Sequence, residues 1–263
     1  MLSSELYSGR RDLDLLILAA QTAGDIACGY FNASPKIWEK SDDQGPVTEA
    51  DLHVNRQLSA DLQSARPSYG WLSEETEDSA ARLSTEYQFI IDPIDGTRAY
   101  IEGSKDWAHS IAIAKNGVIV SAVIYLPMHN AMYTAALGQG AALNGIPIKA
   151  LPEKPLEIAT VLSSKPNIDP KYWGGAVPPF KRAFRSSLAY RLALVAEGRF
   201  DGMLTLRPTW EWDVAAGALI VTEAGGSVCD QKGVTPLFNN PHPQINGMVA
   251  AGGIHSKLVA ALV

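Results

Sequence analysis

At 263 residues and 28.2 kDa the chain fits one large domain or two small ones sharing a core. Its 46% hydrophobic and 19% charged content is that of an ordinary soluble enzyme, no apolar run approaches membrane-spanning length, and residues 1–5 lack the basic start of a secretory signal. The net charge of −6 argues against generic binding to nucleic acid or an anionic membrane; Cys28 and Cys229, without metal-type spacing, read as reduced thiols of a cytoplasmic protein.

Between residues 12 and 31, Leu13, Leu16, Ile17, Ala20, Ala23, Ala27 and Tyr30 recur every three or four positions and predict a long amphipathic helix, with Gly24 a mild defect in it. Residues 33–46, holding Pro35, Asp42, Asp43, Gly45 and Pro46, predict a turn-rich loop able to act as a flap over a site. Thr48-Glu49-Ala50-Asp51 has capping-box spacing ahead of a second helix whose buried stripe is Val54, Leu58 and Leu62. Asp51 is therefore either a cap or a group near metal. Past Arg66-Pro67, the segment Tyr69-Gly70-Trp71-Leu72-Ser73 leads into Glu74-Glu75. Adjacent acids point apart on a regular backbone, so one of the two faces any given site. With Glu77 and Asp78 following, the plainer alternative is a solvated acidic loop.

The run Gln88-Phe89-Ile90-Ile91 predicts a buried strand that stops at Pro93, which has no N–H for a ladder. The hexapeptide Asp92-Pro93-Ile94-Asp95-Gly96-Thr97 follows. Asp92 and Asp95, three apart across a turn, can aim both carboxylates and the Ile94 carbonyl at one point, as a hard divalent cation requires. Gly96 and Thr97 open a helical segment at 98–102, where free amides suit phosphate. The plainer alternative is a strand, a proline-bounded turn and a helix capped by Asp95 or Thr97. Apolar runs at 108–114, 118–126 and 131–136, joined by turn residues, predict an antiparallel meander. Asn144-Gly145 adds a type I′ hairpin, and Gly138-x-Gly140 is no phosphate loop because no Lys-Ser/Thr follows it.

A composition shift at 150–155 divides the chain into an α+β half, 1–150, carrying two amphipathic helices, the antiparallel sheet and most of the acids, and an α/β half, 151–263, supplying Asp213. The second half alternates strands at 159–163, 200–206, 226–229 and 247–251 with helices near 187–197, from 213 to 224 and from 255. Gly225-Gly226 ends the Asp213 helix. Asp213 complements a helix dipole by position alone. The flanking Trp210 and Trp212 make its segment apolar, however, so a partly buried acid there needs a partner, and Ala215-Ala216-Gly217 allow close packing.

In this order, Val47-Thr48-Glu49-Ala50-Asp51, Glu74-Glu75, Asp92 to Thr97, 138–147 and 211–226 make the chain resemble the inositol monophosphatase superfamily of magnesium-dependent, lithium-sensitive phosphatases over nearly its whole length. The resemblance implies an α/β fold of the layered αβαβα sandwich type. It implies that Glu74, Asp92, Asp95, Asp213 and the Ile94 carbonyl hold two or three Mg2+ ions, with Mn2+ a substitute and Li+ inhibitory. Glu74 and Thr97, helped by Asp51 and Asp95, would orient and activate the attacking water, while Gly96, Thr97 and Asp213 meet the substrate. A small-molecule phosphate ester, no nucleic acid polymer, no membrane and a homodimer complete the expectation. Physically, four converging carboxylates raise one another's pKa, and an oxygen-only donor set without Cys or His suits Mg2+ better than Zn2+.

Within the superfamily, Thr209-Trp210-Glu211-Trp212-Asp213, Ser186-Ser187 and the 98–107 segment look more similar to 3′(2′),5′-bisphosphate nucleotidases than to inositol enzymes. The stretch Leu204-Thr205-Leu206-Arg207 offers no acid where inositol-specific members carry glutamate, whereas Arg185 stands where the nucleotidases usually have glycine. Trp210 and Trp212 are candidates to stack on adenine, though burial is the favoured reading for at least one of them, and Lys165, Arg185 and Arg207 are candidates to hold a second phosphate, with plain surface charge the alternative. The expected activity is hydrolysis of adenosine 3′,5′-bisphosphate, with an inositol or other polyol monophosphatase as the alternative and a non-catalytic metal and phospholigand sensor as a third.

Overall fold

Apolar stripes decide which faces meet, and three of them stack this chain into five layers. The computed structural model describes residues 2–40 and 45–262, with side chains from residue 11. Helix α1 (Leu2–Tyr30) and helix α2 (Glu49–Ala65) are separated by a small antiparallel hairpin of β1 (Ile37–Glu39) and β2 (Pro46–Thr48), in place of the loop expected at 33–46. Asp42 and Asp43 lie outside the described residues. Next come β3 (Gly70–Ser73), β4 (Tyr87–Asp95) and the short helix α3 (Thr97–Ile101). The expected meander is present as β5 (Ala108–Lys115), β6 (Val118–Leu126) and β7 (Ala131–Ala136), extended by β8 (Ala141–Leu143) and β9 (Ile146–Pro147). Asn144 and Gly145 both have positive φ, as a type I′ turn requires.

Strands β3 to β9 form one seven-stranded sheet in sequence order, with β3 parallel to β4 and the rest antiparallel. The second half follows with β10 (Thr160–Ser163), β11 (Lys181–Ala183), α4 (Leu188–Ala196), β12 (Gly202–Thr205), β13 (Thr209–Trp210), α5 (Glu211–Glu223), β14 (Ser227–Cys229), β15 (Gln244–Ile245), β16 (Met248–Ala251) and α6 (His255–Ala261). Its main sheet has the order β11-β10-β12-β16-β14. Three residues of exposed and half-exposed Lys181-Arg182-Ala183 gave no apolar signal, so β11 was absent from the sequence expectation.

Helices α1 and α2 cover one face of the large sheet through a core of Leu16, Ala20, Val54, Leu58, Ile91 and Ile111. Its other face meets α4 and α5, which carry the second sheet on their far side through Ile90, Ala112, Leu192, Val214, Met203 and Ala250. Helix α6 closes the stack on Val161, Val249 and Leu258. The αβαβα layering expected from the resemblance is thus the observed one. Gly24, expected to weaken α1, is instead a contact: a Cβ there would sit 2.5 Å from the Tyr125 ring. Gly217 has the same role between α5 and α4, where a Cβ would stand 2.3 Å from Leu192. No described helix is long and apolar enough to cross a membrane.

The capping box forms as the spacing demands. Thr48 caps α2, and Asp51 Oδ2 reaches back to the Thr48 amide at 2.9 Å, an arrangement worth about 1 kcal/mol. At the far end of α5 the Gly225 and Gly226 amides bond the Thr222 and Val221 carbonyls and terminate the helix. Strand β4 corrects the expectation of a stop at Pro93, since it runs on to Asp95. Asp92 pairs with Ser110 and Asp95 with Ala108, so one residue too many is accommodated between them. Pro93 falls in this bulge, where the missing N–H costs no ladder bond.

Candidate active site

The starts of α2, α3, α4 and α5 and the ends of β3 and β4 meet around one group of acids. The bulged end of β4 delivers Asp92 and Asp95, and the first turn of α5 delivers Asp213; carboxylate oxygens of all three lie within 4.8 Å of one another. Asp92 is 1% and Asp95 7% exposed, whereas Asp213 keeps partial access from the cleft. Burial pushes the Asp92 carboxyl well above the usual range, and the charges of Glu74, Asp95, Asp213 and Asp51 add to the effect. Asp213 is raised in the same way, with Arg207 and Lys40 opposing the shift. Asp92 Oδ1 is buried without a hydrogen-bond partner among the described residues. Three crowded acids, one of them with an orphaned oxygen, fit a hard cation by their donor chemistry.

Asp95 is the best anchored of the three. Its Oδ2 accepts from the Ser187 hydroxyl and, at 2.6 Å, from the Ala189 amide at the start of α4. Burial lifts its pKa to about 6, held there against these two bonds and Arg191. Ser187 also caps α4 by accepting from the Tyr190 amide at 2.9 Å, so one hydroxyl positions both the helix and the acid.

Gly96 adopts φ 97°, a left-handed conformation, and a Cβ there would press on the Asp106 carbonyl at 3.2 Å. This turn, not Asp95 or Thr97, caps α3, and a glycine at the cap offers the first amides no side-chain acceptor. Thr97 Oγ1 lies 3.1 Å from the Ile94 carbonyl and 3.3 Å from Asp51 Oδ1. The capping reading of Asp51 is the observed one for Oδ2, and Oδ1 faces Thr97. Burial raises Asp51 to about 6, against its bonds to Thr48.

Glu74, at the end of β3, stands outside the trio of nearest oxygens and is bonded by Lys40 Nζ at 2.7 Å. The same ammonium reaches Glu75 at 2.5 Å. Burial opposes the charge on Lys40, yet the two glutamates outweigh it and hold its pKa above the ordinary lysine range. Glu75 is pushed up to about 7 by burial and by Glu74. Sequence reasoning missed Lys40, because an ion pair across 34 residues leaves no local pattern.

Other groups complete the floor. Ser110, opposite Asp92 in the ladder, donates to the Trp212 carbonyl at 2.8 Å and ties the large sheet to the turn before Asp213. Glu211 is fully buried and accepts from the amides of Asn239 and Asn240 at 2.6 and 2.9 Å, clamping that loop to the start of α5. On the outer side, Trp210 and Trp212 stack on each other at 4.7 Å and 9°, with His242 beside Trp210, so they form one packed unit and not two arms of a base clamp. Lys165 and Arg207 are exposed, and Arg185 contacts Asp106 at 3.7 Å. Arg191, absent from the sequence-based set, is buried in α4 and donates to the Arg185 carbonyl at 2.5 Å.

Comparison with known proteins agrees with this architecture. The profile of the inositol monophosphatase family matches residues 11–263. The chain is 35% identical over 197 residues to an inositol-1-monophosphatase of Rhizobium meliloti (strain 1021), covering 71% of this chain and 73% of that protein. It is 33% identical over 247 residues to the Nus factor SuhB of Pseudomonas aeruginosa, covering 88% and 89%. Among solved structures, the Thermotoga maritima IMPase superposes with a TM-score of 0.82 at 27% identity, covering 95% of this chain and 96% of that one. The sequence-based likeness to bisphosphate nucleotidases has no counterpart in these three. With the family profile spanning residues 11–263 and the layers those of a solved IMPase, the chain belongs to the inositol monophosphatase family and is a phosphatase of that family.

Proposed function

We propose that the chain is a Mg2+-dependent phosphomonoesterase that hydrolyses a small phosphate ester with water as the attacking group. The observation carrying this reading is the buried trio Asp92, Asp95 and Asp213 with its orphaned Asp92 Oδ1. Buried anions at that spacing need a cation, and donors that are all oxygen favour Mg2+. Asp92, Asp95, Asp213, Glu74 and the Ile94 carbonyl are the groups that would hold it. When bound, the metal makes water acidic enough to attack at neutral pH and offsets charge on the leaving oxygen.

The remaining work falls to the chain itself. Thr97 has one hydroxyl proton and two acceptors, so when it donates to Asp51 its oxygen is free to accept from the attacking water. Asp51, buried and raised to about 6, is suited to take up that proton. Glu74 would orient the water from the other side, and Lys40 holds Glu74 in place. The free amides at Gly96 and Thr97 meet the phosphate of the substrate, beside Asp213.

Inositol 1-phosphate or a related polyol monophosphate is the first substrate we propose, supported by the name that relatives of up to 35% identity carry. Adenosine 3′,5′-bisphosphate is the second reading, favoured by exposed Arg207, which lies close enough to Asp213 to pull its carboxyl down. A homodimer in the cytoplasm is proposed on family likeness and on the free thiols of Cys28 and Cys229. A Mg2+-dependent panel of inositol 1-phosphate, adenosine 3′,5′-bisphosphate and fructose 1,6-bisphosphate tests the reading. Turnover of any one supports the phosphomonoesterase, and the order of kcat/KM selects the ester. Metal binding without turnover would replace it with a non-catalytic role, a possibility kept open by relatives named Nus factor.

A further inference from the structure

His109 sits on β5 next to Ser110, fully buried, and nothing in the reaction outlined above uses it. Its Nδ1 is hydrogen-bonded to the Pro93 carbonyl, inside the bulge between Asp92 and Asp95. A carbonyl oxygen can only accept, so the proton must be on Nδ1 and the ring is the Nδ1–H tautomer. Burial holds its pKa down to about 4, which keeps the ring neutral at ordinary pH. Nε2, on the opposite edge, is buried with no hydrogen-bond partner among the described residues, and the ring packs edge-on against Trp107 at 5.5 Å. An orphaned nitrogen in an apolar wall is a cost that leucine or valine at this position would not carry. The Nδ1 bond is what the imidazole supplies in return.

That bond falls at a place the sheet leaves unfinished. The ladder pairs Asp92 with Ser110 and Asp95 with Ala108, and between these two rungs the chain bulges. The peptides of Pro93 and Ile94 carry the spacing from one carboxylate to the next, and the Thr97 hydroxyl, 3.1 Å from the Ile94 carbonyl, bonds it only when its proton is not given to Asp51. Fixing the Pro93 carbonyl removes the remaining freedom of the bulge.

We propose that His109 is a positioning residue, whose Nδ1–H pins the Pro93 carbonyl and thereby sets the distance between Asp92, the Ile94 carbonyl and Asp95 for a divalent cation. The proposal rests on the metal reading of the acid trio given above. Outer partners of this kind orient ligands without touching the ion.

Asparagine and leucine are nearly isosteric, and the asparagine Nδ2 reaches the position of the histidine Nδ1. His109→Asn and His109→Leu therefore lose the ring contacts equally, and asparagine keeps the donor toward Pro93 while burying a carbonyl oxygen and a second N–H that leucine lacks. Mn2+ titration calorimetry on the intact protein should give His109→Asn a dissociation constant within about 3-fold of wild type and His109→Leu one weaker by about 10-fold or more, as loss of an outer partner does. The metal-free thermal midpoint of His109→Asn should be no higher than that of His109→Leu, so tighter Mn2+ binding by the asparagine variant does not come from greater stability, and kcat on a phosphate ester should follow the metal affinity. Equal Mn2+ affinity in the two variants would overturn the proposal while leaving the phosphatase reading intact; a wild-type protein that binds no Mn2+ would sink both. Should the leucine variant not fold, nitrogen-15 NMR of the wild-type protein decides: Nδ1 protonated and Nε2 bare, with Nδ1 moving on addition of Mg2+, supports the proposal, and an Nε2–H tautomer overturns it.

Discussion

The two sides of the cleft are built differently. On the acid side groups are tied to the frame by named bonds: Asp95 by Ser187 and the Ala189 amide, Asp51 by Thr48, Glu74 by Lys40, and the Pro93 carbonyl by His109. On the outer side Lys165 and Arg207 extend into solvent, and the two indoles bond to each other by stacking. Chemistry that fails when an atom moves by an ångström needs a rigid frame, whereas recognition of the rest of a substrate tolerates loosely held side chains. A single substitution should accordingly abolish turnover on the first side and merely redirect it on the second.

The sharpest way to break this contrast is Asp95→Asn. It should lower kcat by about 1,000-fold or more, because the charge that holds metal is lost while the amide oxygen still accepts from Ser187. The metal-free thermal midpoint should stay level or rise, since one of several repelling buried charges is gone. Appreciable activity in this variant would remove Asp95 from the role given to it.

The pH dependence of stability sharpens the same point. Asp51 and Asp95 are raised to about 6 and Glu75 to about 7, each above its value in the unfolded chain. Groups raised on folding stabilise fully below their unfolded pKa and lose that contribution as pH climbs through the folded value. His109, lowered to about 4, and His255, also lowered by burial, work in the opposite sense, destabilising as pH falls below their unfolded values, but the raised carboxyls, Asp92 and Asp213 among them, outnumber them. Thermal melts in chelator should therefore show the midpoint falling between about pH 5 and about pH 8, and saturating Mg2+ should restore more at the upper end. A midpoint that rises over this range without metal would contradict the electrostatic account.

On the outer side, Arg207→Ala should raise KM for adenosine 3′,5′-bisphosphate by about 10-fold while changing kcat/KM for inositol 1-phosphate by about 3-fold or less, the size of one solvent-exposed charge contact. A uniform fall on both esters would move Arg207 to the acid side of the comparison.

The same division separates what could be read from the sequence from what could not. The capping box at Thr48 and Asp51, the meander of β5 to β7 and the stop at Gly225-Gly226 are local, so residue spacing was enough to place them. Asp92, Asp95 and Asp213 were legible because family motifs carry them, and the structure brings their oxygens together. Features made by distant partners were not legible. Pro93 was expected to end β4, and it does not, because the bulge and His109 absorb it. Lys40 draws its meaning from Glu74 and Glu75, a sheet away. The paired tryptophans look like free aromatics in one dimension and are stacked in three.

The central claim is that these acids are a metal centre, and anomalous diffraction from crystals soaked in Mn2+ tests it most directly. The account predicts peaks bridged by Asp92, Asp95 and Asp213, with Glu74 turned from Lys40 toward the ion. Anomalous maps from fully soaked crystals with no peak among these carboxylates would contradict it.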